Sequence, residues 1–320
     1  MTSATSNMAA IEQDNVSRWY ANATVRHSDR ILVPDNSKGE FIFPRSRQLL
    51  SEHPAVVAKG HDAVAYVLAQ SAYKYMYEIG LLETRFVIDC SLNIINNKIK
   101  GFNDDEKREA LTIVIDEGYH AYVALDFIIQ MKALTGVQPI EVPEANGNLR
   151  AVQRAMDALP TSMHDDFQLI SVCLAEHTLT KDLVSIGREK DATASFTQVM
   201  TDHVSDEGRH ANYFARLMKQ HWVTLSEATK TTIGFMLPNY LDDYLAGDDE
   251  RSFDKKILLA LGMSEAEALR VIDDTHPAFM DNLHTYVSVT KANLVKLLAR
   301  CGIMDHEATK ASFIAHGVSV

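Results

Sequence analysis

The chain has 320 residues, of which 46% are hydrophobic and 23% are charged, a composition that is typical of a globular protein and excludes a disordered or fibrous one. Its formal net charge of −12 disfavours a nonspecific hold on nucleic acid phosphates or on an anionic membrane surface. No stretch of about 18 residues is both apolar and free of charge, so no membrane span is expected.

The first residues of the chain carry neither a basic start nor an apolar run, so they do not resemble a secretory signal. We expect residues 1–14 to form a disordered tail and residues 15–320 to form a single domain. The three cysteines, Cys90, Cys173 and Cys301, lie in apolar stretches without CxxC spacing. Reduced, buried thiols and a cytoplasmic location are therefore expected.

Two long helices are predicted in the first half of the chain, where apolar residues recur every three or four positions. The first is expected over residues 62–100 and ends at Gly101, since glycine is common directly after a helix. The second is expected from about residue 104 to residue 134, because Asp104 and the acidic residues after it suit a helix start and Gly136 breaks the pattern.

A long crossover is predicted next, since residues 136–160 hold three prolines and only a short helical stretch. A third helix over residues 162–188 and a fourth over residues 193–220 follow, with a short turn between them. Two antiparallel helix pairs joined by one long connection form a ferritin-like four-helix bundle. The sequence therefore predicts an all-α fold whose metal-binding core spans about residues 60–220.

Additional helices are predicted in the C-terminal part, between about residues 222 and 316. They are expected at residues 225–245, 252–261 and 264–273 and, opened by Pro277, at residues 277–300. No linker-like composition separates them from the bundle, so we expect them to pack against it in the same domain.

The second and fourth helices share a repeated hexamer, Asp-Glu-Gly-Tyr-His-Ala at residues 116–121 and Asp-Glu-Gly-Arg-His-Ala at residues 206–211. In each hexamer a Glu and a His three residues apart project from one helical face and can reach one metal ion. An isolated pair of this kind is more often solvated on the surface. Here both pairs lie within apolar stripes, which favours a buried site.

A carboxylate in apolar surroundings lies on each of the other two helices, Glu83 on the first and Glu176 on the third. The midpoint between Glu83 and Glu117 is residue 100, and the midpoint between Glu176 and Glu207 lies between residues 191 and 192. Both midpoints fall at predicted turns, so all four carboxylates can occupy one level of the bundle. Buried carboxylates require paired cations, and too few Lys or Arg residues are placed to supply them.

Three further residues extend this pattern. His203 lies four residues before Glu207 and on the same stripe, and it is interpreted as a third imidazole ligand or, alternatively, as a hydrogen-bonded core histidine. Asp116 and Asp206 each precede a predicted ligand and can accept the free N–H of a ligating imidazole. Ordinary solvated helix charge is an alternative for both aspartates. Ligands rich in oxygen with two imidazoles suit iron or manganese better than zinc, copper or calcium.

In order and in approximate spacing, these residues resemble the seven-ligand pattern of the AurF-like diiron N-oxygenases, the p-aminobenzoate N-oxygenase family of the ferritin-like superfamily. The resemblance covers about residues 60–220, and the additional histidine makes it more specific than a likeness to ferritins in general. The matching positions are Glu83, Glu117, His120, Glu176, His203, Glu207 and His210.

The resemblance implies a diiron monooxygenase that uses O₂ to oxidise a primary amine of a small molecule to a hydroxylamine, and onward to nitroso or nitro products. It implies two iron ions as cofactor, with manganese less favoured, a role in natural-product biosynthesis and a homodimer. Each cycle needs electrons, yet the sequence has no GxGxxG turn after a strand and no CxxC cluster. An external ferredoxin or reductase is therefore expected.

Two other functions use similar ligands. One is a ferritin-like ferroxidase or iron-handling protein, which needs no organic pocket. The other is a radical-generating diiron subunit, for which Tyr119, Tyr122 or Tyr213 would lie near the metals. The sequence leaves open which amine is the substrate, aromatic or derived from an amino acid, how far its nitrogen is oxidised and which residues line the pocket.

Overall fold

The structure, a computed structural model, describes residues 16–34, 40–142, 146–247 and 250–318. Within these ranges the chain forms helices and connecting turns and contains no strand, which confirms the all-α prediction. The predicted tail at residues 1–14 lies outside the described residues.

Four long helices form the bundle, and a shorter helix lies in the crossover between the two pairs. Helix α1 runs over His61–Leu82, continues through a π-helical turn at Glu83–Val87 and ends with Ile88–Ile95. The others are α2 (Asp104–Thr135), α3 in the crossover (Gly147–Ala158), α4 (His164–Ile186) and α5 (Ala194–Thr224). The predicted order of two hairpins joined by a long connection is confirmed.

The ends of α1 and α2 follow from local chemistry. Asn103 caps α2, because its side chain accepts hydrogen bonds from the backbone N–H groups of Asp105 and Glu106, while the Glu106 carboxylate accepts from the Asn103 N–H. Gly136 ends α2 with a left-handed φ of 73°. The predicted end of α1 at residue 100 is wrong: the helix stops at Ile95, since Asn97 already adopts a left-handed φ of 58°.

Four helices follow the bundle: α6 (Glu227–Tyr244), α7 (Glu250–Ala260), α8 (Glu265–Arg300) and α9 (Glu307–Ala315). Helix α6 packs against α3 and α9, while α7 and α8 pack together and contact α1 and α4 respectively. The assignment of residues 15–320 to one domain stays a prediction.

The predicted break before Pro277 is wrong, because α8 runs through this proline without interruption. Proline lacks an N–H group and costs an internal helix about 3 kcal/mol. Apolar burial on both sides offsets that cost: Val271 is buried before the proline, and Leu294 and Leu298 are buried after it.

Two apolar clusters fill the interior, and each bundle helix contributes to both. On α1, Ile79 belongs to one cluster and Phe86 to the other. On α5, Met200 belongs to the same cluster as Ile79, and Tyr213 belongs to the same cluster as Phe86. The polar residues between these positions form a layer that separates the two clusters. None of the described helices is both long enough and apolar enough to cross a membrane.

Candidate metal centre

The seven side chains that the sequence singles out lie together in this polar layer, one or more from each bundle helix. Each is at most 5% exposed to solvent. Helix α1 supplies Glu83, α2 supplies Glu117 and His120, α4 supplies Glu176, and α5 supplies His203, Glu207 and His210. The agreement in height that the turn midpoints predict is therefore seen in the structure.

Two overlapping groups of residues can be distinguished, and within each group one donor atom from every residue lies within 4.8 Å of those from the others. Glu117 belongs to both groups and is placed to bridge them. The first group contains Glu83, Glu117, His120 and His203, and the second contains Glu117, Glu176, Glu207 and His210.

The first group is held close by its imidazoles. His203 Nε2 lies 3.1 Å from Glu83 Oε1 and 3.0 Å from Glu207 Oε1. His120 Nδ1 lies 3.2 Å from Glu117 Oε2. Nitrogen atoms of both rings therefore face the carboxylates.

The second group is centred on His210. Its Nδ1 atom lies 2.8 Å from Glu117 Oε1, 3.4 Å from Glu207 Oε1 and 3.9 Å from Glu176 Oε2. The same ring nitrogen thus faces the carboxylates in His120 and in His210, as the repeated hexamer requires of two equivalent helical positions.

Many donor atoms of these residues are buried and make no well-oriented hydrogen bond, although some of them lie 2.8 to 3.1 Å from one another. They comprise both carboxylate oxygens of Glu83, Glu176 and Glu207, one oxygen of Glu117, and the nitrogens His203 Nε2 and His210 Nδ1. A buried polar group without a partner costs free energy, and an ionised one costs several kcal/mol or more. Because these unpaired atoms all face a common centre, they fit the binding of cations there.

The protonation of the carboxylates differs between the helices. Burial raises the pKa values of Glu83 and Glu176 well above that of an ordinary glutamate, and neighbouring carboxylates raise both pKa values further. Burial has the same effect on Glu207, but the imidazoles of His210 and His203 outweigh it and hold the pKa of Glu207 well below its usual range. Cations that bind here would therefore release protons from the protein.

Two aspartates make crossed contacts with the imidazoles. Asp116 on α2 lies 3.1 Å from Nε2 of His210 on α5, and Asp206 on α5 lies 3.2 Å from Nε2 of His120 on α2. Both aspartate side chains are fully buried, unlike an ordinary solvated helix charge. Each contact orients the ring so that Nδ1 is directed at the carboxylates, where it can bind a cation once it has lost its proton.

Three residues that sequence reasoning missed complete this arrangement. Arg209 donates hydrogen bonds to both aspartates and joins them. The indole N–H of Trp19 donates to Asp116 at 2.8 Å, and Thr24 donates to Asp206 through its backbone N–H at 3.2 Å and through its hydroxyl. The role of Arg209 could have been suspected from the sequence, because the second hexamer has arginine where the first has tyrosine. Nothing in the sequence indicates Trp19 or Thr24, since they lie far along the chain from either aspartate.

The π-helical turn places Glu83, which is its first residue. A π turn inserts one extra residue into an α-helix and changes which side chains face inward, and such turns are frequent at functional sites. Here both Glu83 and Phe86 are buried, whereas Thr84 and Arg85 between them are exposed.

A cavity of about 320 Å³ adjoins this polar layer between α1 and α4. Its walls include Leu82 and Ala175, which directly precede Glu83 and Glu176 in the chain. Tyr244 from α6 also lines it and interacts electrostatically with Glu176. None of the seven clustered side chains lines this cavity, whereas His120 and His203 line a much smaller one of about 10 Å³.

His177, which follows Glu176, belongs to neither group of donor atoms. It points around the helix from Glu176, as expected for adjacent helical residues. Burial and the nearby Lys181 and Arg300 lower the pKa of His177 to about 4. It is therefore neutral near pH 7 and outside the centre.

Four buried carboxylates and three imidazoles form a donor set that suits iron, with carboxylate oxygens in the majority. Comparison with known families gives one finding. A family model described as P-aminobenzoate N-oxygenase AurF matches residues 33–270, which is more than half of the chain and extends into α8. No protein of curated function matches the chain.

Proposed function

The chain belongs to the p-aminobenzoate N-oxygenase family, whose members are diiron N-oxygenases, and we propose that it oxygenates the primary amino group of a small molecule that enters the cavity between α1 and α4. The observation that carries the proposal is the set of unpaired, buried donor atoms around a shared centre beside that cavity.

In this proposal the seven clustered side chains bind the two iron ions. Glu83, His120 and His203 would hold one ion, Glu176, Glu207 and His210 would hold the other, and Glu117 belongs to both groups. The grouping rests on the distances between donor atoms, which define two sets that share Glu117. The two aspartates act as positioning residues through the imidazoles that they contact.

Ferrous iron, when bound there, would supply the electrons with which O₂ is activated. The protein orients both hexamer imidazoles through Asp116 and Asp206 and keeps bulk water from the buried carboxylates. One oxygen atom enters an N–H bond of the amine to give a hydroxylamine, and the other leaves as water with two electrons and two protons from an external donor. We propose a ferredoxin or reductase as that donor, since the sequence lacks the CxxC and GxGxxG motifs of an internal one.

The proposal is tested by loading the protein with ferrous iron without oxygen, adding O₂, a chemical reductant and a panel of primary amines, and analysing the products by mass spectrometry. We expect about two iron ions per chain and a hydroxylamine or its further oxidised products. Mineralised iron with every amine unchanged would instead support the ferroxidase alternative, which needs no organic cavity.

A radical-generating subunit has less support in the structure. The Tyr213 hydroxyl donates a hydrogen bond to the Glu106 backbone carbonyl, and the Tyr122 side chain is 54% exposed. Oxygenation of an amine makes use of the cavity, which a radical store does not need.

We also propose a homodimer, and an exposed apolar stripe on α2 supports it. Five large side chains of α2 are 46–55% exposed and repeat every four and three residues: Leu111, Ile115, Tyr122, Leu125 and Ile129. Such spacing is typical of a helix that packs against another helix. Together they expose on the order of 500 Å², as much as the largest apolar patch of a typical monomer.

The stripe is symmetric about residue 120, which favours a second copy of this chain as its partner. If two α2 helices cross antiparallel at that residue, Leu111 faces Ile129, Ile115 faces Leu125, and Tyr122 faces Gly118. A Cβ atom at Gly118 would have no other described part of the chain within 4 Å beyond its own helix turn, which leaves room for an opposing tyrosine. A two-fold interface requires this kind of self-complementarity.

The dimer is tested by light scattering with size-exclusion chromatography. We expect two chains per particle for the unmodified protein and one chain for Leu125→Glu. Ile314→Glu, which changes a comparably exposed residue on α9, should remain dimeric. A monomeric unmodified protein would contradict the proposal.

A further inference from the structure

The charge of the cavity walls carries an inference about the substrate that rests on the proposed function. Three carboxylates line the cavity, Glu78, Asp182 and Glu250, whereas no Lys or Arg is among its described lining residues. An anionic substrate such as an aminobenzoate would therefore enter a cavity that offers its carboxylate no cationic partner.

Two described cations contact these carboxylates, and each of them also contacts a second carboxylate. Lys74 is 5% exposed, and its Nζ lies 2.8 Å from Glu78 and 2.6 Å from Glu250, so one lysine is shared by two carboxylates. Arg47 lies 3.3 Å from Asp182 and 3.0 Å from Glu189, so it is shared in the same way. Neither Asp182 nor Glu250 therefore has a cation to itself in these contacts of the described residues, which favours negative charge at the cavity.

The other walls suit the same kind of ligand. Tyr75, Tyr244 and Tyr286 line the cavity, and aromatic faces attract ammonium groups. The Tyr75 hydroxyl donates a hydrogen bond to Asp182 Oδ2 at 2.7 Å and so fixes the orientation of that carboxylate. The tyrosines also supply apolar surface for the body of a small molecule.

We propose that the substrate is a diamine or related compound in which a second, cationic amino group lies against Glu78, Asp182 and Glu250 while the amino group to be oxygenated points toward Glu83 and Glu176. The two nitrogens of such a substrate would differ in protonation state. The distal one is held as an ammonium ion by carboxylates, and the proximal one must be neutral to present its lone pair. Glu78, Asp182 and Glu250 are thus specificity-determining residues.

The test compares three aromatic amines that share a ring and differ in the charge of the para substituent: 4-aminobenzoate (anionic), 4-aminobenzamide (neutral) and 4-(aminomethyl)aniline (cationic). Their dissociation constants are measured by calorimetry on the ferrous protein without oxygen. We expect the cationic amine to bind at least about tenfold more tightly than the anionic one, with the neutral amine between them. Tighter or equal binding of 4-aminobenzoate would overturn the proposal.

Variants separate the cavity from the overall charge of the protein. Asp182→Asn keeps the size of the side chain and should weaken binding of the cationic amine about three- to tenfold while binding of the neutral amine stays within twofold. Glu227→Gln removes the same charge from an exposed residue outside the cavity lining and should change neither. Equal losses for both amines in Asp182→Asn would show a structural defect and contradict a charge-specific role.

Binding and turnover distinguish this inference from the proposed function. If the cationic amine binds preferentially but no amine is oxygenated when O₂ and reductant are added, the charge preference holds and the oxygenase proposal fails. If 4-aminobenzoate binds best and is oxygenated, the oxygenase proposal holds and the cationic substrate is wrong.

Discussion

Glu117 is the one carboxylate that belongs to both groups of donor atoms, whereas His203 belongs only to the first. Glu207 occupies the position of Glu117 in the other hexamer. It lies near His203, His120 and His210 but belongs only to the second group of donor atoms. Removing a side chain from this layer should therefore have consequences that depend on whether it serves one ion or two.

We predict that Glu117→Ala lowers iron binding from about two ions per chain to fewer than one, while His203→Ala retains about one. The reason is that the first change removes a donor from both groups and the second from only one. Bound iron is measured by elemental analysis after anaerobic loading and desalting. His177→Ala is the matched control and should retain both ions; equal losses in all three variants would contradict the assigned ligands.

The aspartates are predicted to act on metal affinity rather than on folding. Asp116→Asn should weaken binding of one ferrous ion about 10- to 100-fold, because the amide can no longer hold the His210 ring in the same way. Competition with a colorimetric chelator measures the affinity, and circular dichroism checks the fold. An unchanged affinity in a folded variant would refute the positioning role.

At the scale of elements, the π-helical turn in α1 sets the rotation of the segment His61–Leu82 about the helix axis relative to the segment Ile88–Ile95. Without the extra residue, the two parts of α1 would turn by about 100° relative to each other. Either Glu83 or the buried side chains Phe86 and Val87 would then leave the interior. The turn therefore lets one helix serve both the metal layer and the apolar cluster beyond it.

Deleting Thr84 is predicted to convert this segment into regular α-helix and to abolish iron binding, with at least a tenfold loss of N-oxygenation. Thr84 is exposed, and its hydroxyl donates a hydrogen bond to the Gly80 carbonyl within the same helix. Thr84→Ala, which keeps the chain length, should bind two iron ions. Elemental analysis of both variants checks the expectation, and full iron binding by the deletion variant would contradict it.

Helix α8 provides a second prediction at this scale. Pro277→Ala should raise the free energy of unfolding by about 1–3 kcal/mol, because alanine restores the N–H group that proline lacks. Ala278→Gly, at the exposed neighbouring position, should lower it by about 1 kcal/mol. Urea denaturation measures both changes, and a destabilising Pro277→Ala would show that the proline ring makes contacts that favour the fold.

The sequence predicts those elements whose signals are local. Periodic apolar residues give the bundle helices, and the midpoints of the two carboxylate pairs give their register. The π turn could not be predicted, because apolar residues spaced three or four apart do not show at which position one extra residue shifts the phase of the helix. The run of α8 through Pro277 depends on packing from other helices, and so do the contacts of Trp19 and Thr24 with the aspartates, which join residues far apart in the chain.

At the scale of the whole molecule, metal binding and folding stability should be linked. The layer between the two apolar clusters holds four carboxylates from four helices, and a fold without cations keeps unpaired donor atoms in its interior. Ions that bind only the folded chain stabilise it by mass action. The bundle is thus expected to be weakest at its centre when iron is absent.

We predict that ferrous iron at about 100 times its dissociation constant raises the free energy of unfolding by about 2.7 kcal/mol per site. Differential scanning calorimetry without oxygen measures the corresponding rise in Tm. Glu117→Ala should show little or no rise at the same iron concentration. A Tm that does not respond to iron in the unmodified protein would mean that these side chains do not form a metal site in the fold.

The crossed contacts of Asp116 with His210 and of Asp206 with His120 have a genetic consequence. Each helical hairpin supplies the carboxylate that orients an imidazole ring on the other hairpin. A substitution of Asp116 is therefore expected to disturb the orientation of His210. In a library of variants, substitutions at these two positions should show epistasis, with the double variant little worse than either single one. Substitutions that preserve the metal centre are therefore expected to occur together in the two parts of the gene that encode the two hairpins.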